Sequence, residues 1–99
     1  MRKKILHLNV KKEYFEMVKV GDKVEEFRFH NPYWIKKLSK DYDYIYYKMG
    51  YPKNGDTEKI LKFKYNGYSI RTIRHKEFGD EPVEVFAIRL GQKVEEESK

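Results

Sequence analysis

The chain has 99 residues, no cysteine and a formal net charge of +6. That length holds one domain around one hydrophobic core. The missing cysteines exclude disulfides, thiolate catalysis and Cys-ligated zinc. No apolar run approaches the ~20 residues of a membrane span. The apolar stretch after Met1-Arg2-Lys3-Lys4 ends at His7 and Asn9, short of the about 7–15 residues of a signal-peptide core. A cytoplasmic protein is expected.

The charge is unevenly placed. Residues 1–40 hold eleven Lys or Arg against five acids, whereas 41–99 hold eleven of each. Residues 59–76 carry six basic side chains and no acid. Such asymmetry fits a polyanionic partner, RNA above all, although a merely solubilising surface has the same composition.

In chain order, residues 4–10 alternate, with Leu6, Leu8 and Val10 on one face of a strand. Residues 13–20 place Tyr14, Phe15, Met17 and Val18 at helical spacing, and Gly21 stands where a helix ends. Residues 23–30 alternate again, with Phe27 and Phe29 on one face and Glu26, Arg28 and His30 on the other. Asn31 caps a short helix that starts at Pro32 and carries Tyr33, Trp34 and Leu38. Residues 42–49 are dense in Tyr and Ile, as in a strand. Residues 50–56 form a loop.

Two alternating runs, 59–65 and 68–75, flank Asn66-Gly67. That pattern predicts a hairpin with a two-residue turn. A loop over 78–82 precedes residues 83–90, which are apolar on both faces like a central strand. The expectation is an α+β domain over residues 1–91, with about six mostly antiparallel strands and two helices in a small, partly closed barrel. Residues 92–99 are expected to be an acidic, disordered tail.

Gly21-Asp22-Lys23-Val24-Glu25-Glu26-Phe27-Arg28 resembles the Gly-x-Lys-x-x-Glu-x-Arg signature of the ASCH family. Leu6-His7-Leu8-Asn9-Val10-Lys11 resembles that family's first strand with its trailing lysine. Asn31-Pro32-Tyr33-Trp34, Gly50-Tyr51-Pro52-Lys53 and the segment from Phe78-Gly79-Asp80-Glu81-Pro82 to Ile88 resemble a small bacterial and phage-associated branch. The resemblance runs over about residues 5–90. It implies a PUA-like β-barrel with a cleft for RNA or a nucleobase-like ligand. Some small ASCH members are amidohydrolases acting on N4-acetylcytidine, and others are reported as ribonucleases. Of the amidohydrolase pattern Lys23 is kept, while Glu26 stands where that pattern has a threonine nucleophile. A carboxylate is a poor replacement for an activated hydroxyl.

The expected site is a cleft lined by Lys11, Lys23, Glu26 and Arg28, which binds RNA or a nucleotide-like ligand. In an enzymatic alternative, a hydrolase acting on RNA or a modified nucleoside, Glu26 is the general base with Lys23 beside it. The bland reading makes Glu26 and Arg28 a surface ion pair of little energetic weight. Tyr33, Trp34 and Tyr51 are candidate stacking platforms, with core packing the alternative for Trp34. His75 is a candidate ligand contact, and a general base should it meet Glu26. His7, His30 and His75 lack a metal-ligand spacing, so neither a metal nor a cofactor is expected. A further alternative is a protein-interaction module whose basic face meets an acidic partner.

Overall fold

The computed structural model describes residues 3–53 and 55–94. It is an α+β domain in which one mixed sheet of five strands runs in the order β1-β3-β4-β5-β2. Strand β1 (Ile5–Val10) leads into helix α1 (Lys12–Lys19), strand β2 (Glu25–Phe29) and helix α2 (Pro32–Lys37). Strands β3 (Tyr44–Met49), β4 (Ile60–Ile73) and β5 (Val83–Lys93) complete it. The β1–β3 pair is parallel and the other three pairs are antiparallel.

The expected helices form for the expected reasons. Helix α1 turns Phe15 and Val18 into the core, where the Phe15 ring stacks on Tyr47 at 6.2 Å. Asn31 caps α2 by accepting from the Trp34 N–H at 3.0 Å, with Pro32 at the first helical position. Leu6, Leu8, Ile45, Leu61, Phe63 and Ile88 bury their side chains beneath α1. Each contributes about 1.5–3 kcal/mol of hydrophobic stabilisation. Strand β5 is central as anticipated, and Val85, Phe86, Ala87 and Ile88 are all buried.

The expected hairpin at Asn66-Gly67 is corrected by the structure. Residues 60–73 form one strand, so the sheet has five strands rather than about six. Gly67 does adopt a positive φ of 78°, but within a bulge. From Tyr65 to Tyr68 the register advances three residues on β4 against two on β5, where Leu90 leads to Ile88. A left-handed glycine is what such a bulge and a tight hairpin have in common. The long partner β5 decides between them. The Arg89 Nε–H donates to the Asn66 carbonyl at 3.0 Å and satisfies the bulge.

A compensating shift lies between Phe63 and Tyr65, opposite Gly91. A Cβ on Gly91 would stand 2.6 Å from the Lys64 carbonyl oxygen, which is backbone and cannot swing aside. Gly91→Ala is therefore expected to destabilise the domain by about 1–3 kcal/mol, read as a lowered urea midpoint at unchanged slope. Strand β5 runs to Lys93, and the Val94 N–H still donates to the Lys62 carbonyl. Of the expected disordered tail, residues 95–99 lie outside the described residues.

Bulges increase strand twist, and this sheet curls. Its two edge strands, β1 and β2, stand close enough for Arg28 Nη2 on β2 to donate to the Asn9 carbonyl on β1 at 3.1 Å. Among the described residues no backbone ladder joins these edges, so the sheet is not closed into a barrel. No helix of the described residues is long and apolar enough to cross a membrane.

Candidate functional site

The seam between β1 and β2 opens into a cleft of about 270 Å³. Asn9 and Val10 line it from β1, Lys11 and Tyr14 from the start of α1, and Lys23, Glu26, Phe27, Arg28 and Phe29 from β2 and the segment before it. Trp34 of α2, with His75 and Phe78 beyond β4, closes it. Six residues expected at the site thus come together: Lys11, Lys23, Glu26, Arg28, Trp34 and His75.

Glu26 is the centre of the arrangement. Strand alternation puts it on the core side of β2, in register with Ile88, and it is buried at 7% exposure. Its Oε1 accepts from the Tyr47 hydroxyl at 2.9 Å and lies 3.5 Å from Lys23 Nζ. Its Oε2 lies 2.9 Å from Arg28 Nη2. The pair is therefore not the surface salt bridge of the bland reading. A buried carboxylate is tolerable only with such donors around it. Burial, first, and then the neighbouring Glu26 raise the Tyr47 hydroxyl far above the usual tyrosine range, which keeps it a donor.

The cations are held in place. Lys23 Nζ donates to the Glu25 carbonyl at 2.7 Å and lies over the Phe27 ring at 4.9 Å and the Tyr14 ring at 5.7 Å. The Arg28 guanidinium lies 5.2 Å from the Trp34 ring centre. Its Nη2 serves both Glu26 and Asn9, while its Nε is covered and makes no hydrogen bond. Around these groups the walls are aromatic. His75 packs on Tyr14, Phe27 and Phe78, and Phe29 meets Phe78 at 4.4 Å. Strand β2 thus buries its charged face and leaves Phe29 44% exposed, the reverse of ordinary patterning. Such an inversion is the pattern expected where a strand serves a functional or strained site.

Two expected residues fall outside. Tyr33 is exposed and meets Trp34 edge-on at 5.2 Å without lining the cleft. Tyr51 is 90% exposed in its loop. Asn9, Tyr14 and Phe78 are cleft components that sequence reasoning missed, as is Tyr47, buried behind the cleft wall as a donor to Glu26. Tyr47 read as one of several strand tyrosines, and only the fold sets it under Glu26. His30 lies outside the cleft, with Nδ1 2.8 Å from Glu84 Oε1. Among the described residues no three His, Asp or Glu side chains gather as a metal site.

No family model matches the chain, and no curated protein or solved structure does either.

Proposed function

We propose that this domain binds RNA or a nucleotide-like ligand in the β1–β2 cleft. The fold is, on this reading, a PUA-like barrel left open along that seam, as the resemblance to the ASCH family implies. One observation carries it. Three cations, Lys11, Lys23 and Arg28, converge with aromatic walls on a small cleft that holds a single carboxylate, fixed by three partners. The cations suit phosphate, and Trp34 and the phenylalanines suit a planar base. The cleft lies near the lower end of small-ligand pocket sizes, roughly 300–1,000 Å³, so one nucleotide unit is the natural occupant. Glu26 fixes Arg28 and Lys23 and offers its remaining lone-pair capacity to an exocyclic amino group.

Hydrolysis with Glu26 as general base fits this geometry less well. Tyr47, Lys23 and Arg28 already surround both oxygens that would have to take the substrate's proton. Calorimetric titration with cytidine 5′-monophosphate and with cytidine separates the readings. Binding that is stronger for the phosphate form and weakens with salt is expected. N4-acetylcytidine incubated with the protein should be recovered intact by mass spectrometry. Its conversion would favour the hydrolase. Failure of cytidine 5′-monophosphate to bind at low salt would remove the cleft as a nucleotide site and favour the protein-interaction alternative.

A further inference from the structure

The sheet face turned away from α1 carries a second pattern of rings and cations. Alternate residues of β1, β3 and β4 point to this side, because their neighbours Leu6, Leu8, Ile45, Tyr47, Leu61 and Phe63 fill the core. Registration sets the rows. Tyr44 stands beside Lys64, and Tyr46 stands between His7 and Lys62. Lys48 continues the β3 row, and no acid occupies any position of the three strands on this face.

These side chains touch one another and are all at least partly exposed. Lys62 Nζ lies 5.0 Å from the Tyr46 ring centre, and Lys3 Nζ lies 5.1 Å from that of Tyr44. His7 meets Tyr46 edge-on at 5.6 Å. Burial, and then Lys48 and Lys37, hold the His7 imidazole below the usual histidine range.

We propose that this face is a second binding surface, which takes single-stranded nucleic acid by stacking bases on Tyr44 and Tyr46 and pairing phosphates with Lys62, Lys64 and Lys48. The repeat of one ring beside one lysine is the deciding feature. Tyr44 and Tyr46 stand ~6.8 Å apart along β3, two strand residues, and each has its own lysine in register on β4. A polymer that alternates a planar ring with an anion matches that spacing unit for unit. An acidic peptide would use the lysines and leave the rings idle. The lysines resting on the rings do not block stacking. A phosphate competes with the ring for the lysine, and a cation–π contact at a surface site is weak beside a charge-assisted pair. The acid-free stretch over 59–76 thereby has a role, because it supplies Lys62 and Lys64.

The test uses fluorescence anisotropy with a labelled twelve-residue oligouridylate across a salt series. The proteins are wild type, Tyr46→Ser and the double variant Lys62→Gln with Lys64→Gln, each checked by circular dichroism. Tyr46→Ser should weaken the oligonucleotide roughly 5- to 150-fold. The double variant should reduce the log–log salt slope by about 1.4, from ~0.7 per phosphate. Cytidine 5′-monophosphate, which reads the cleft separately, should bind all three proteins alike. Should Tyr46→Ser fail to fold, the pair of half-buried Lys62 and exposed Lys64 still decides the matter. Unchanged oligonucleotide affinity and slope in the folded variants would overturn the proposal. Equal-affinity displacement of the oligonucleotide by polyglutamate would overturn it too, and would assign the face to an acidic protein partner.

Discussion

Glu26→Ala is expected to destabilise the domain by about 3 kcal/mol, at the lower end of the 3–5 kcal/mol for breaking a buried ion pair. The lower end applies because Arg28 and Lys23 keep 21% and 15% exposure and regain some solvation when the carboxylate goes. For a domain of this size the melting temperature should fall by roughly 12–24 °C. Tyr47→Phe leaves the carboxylate but removes its buried hydroxyl donor, for a loss of about 1.5–3 kcal/mol. Glu26→Gln keeps the volume, yet its amide NH2 must face either Arg28, which only donates, or Lys23 and Tyr47, of which only the hydroxyl can accept. Differential scanning calorimetry of the three variants checks this. A melting temperature within a degree or two of wild type for Glu26→Ala would mean that the carboxylate does not hold the β1–β2 seam.

The second large effect is on ligand affinity. Trp34→Ala removes the plane beneath the Arg28 guanidinium and the largest ring in the cleft. Loss of a stacking platform costs about 1–3 kcal/mol per base, roughly 5- to 150-fold in affinity. Arg28→Lys should act through a different route. A single ammonium cannot copy the planar fork that reaches Glu26 and Asn9 together and still faces a phosphate. About tenfold weaker binding is expected, with the salt dependence largely kept because the charge remains. Tyr33→Ala and Tyr51→Ala, just outside the cleft, should match wild type. Calorimetric titration with cytidine 5′-monophosphate separates the pairs. Equal losses at Tyr33 and Trp34 would place the ligand on the outer face of α2 instead.

Much of this architecture was legible because it is local. Alternation located β1 and β2, the Asn31-Pro32 start located α2, and the apolar run over 83–90 located β5. The glycine at 67 was read correctly for its φ and wrongly for its context. A left-handed residue between two alternating runs fits a hairpin or a bulge equally, and only the eleven-residue length of β5 chooses. The candidate site shows the same division. Glu26 and Arg28 share a face by strand periodicity, and Lys11 and Lys23 flank α1 in sequence. Tyr47 meets Glu26 and Phe78 reaches the cleft only through the tertiary fold, which no local pattern records. Between Tyr33 and Trp34, adjacent on a helix and about 100° apart, sequence offered no way to tell which ring faces inward.

A crystal structure of the domain with cytidine 5′-monophosphate tests the central claim most directly. The phosphate should lie among Lys11, Lys23 and Arg28, with the base against the aromatic wall at Trp34 and the exocyclic amino group toward Glu26. Density for the nucleotide elsewhere, with the β1–β2 cleft empty at saturating ligand, would contradict it.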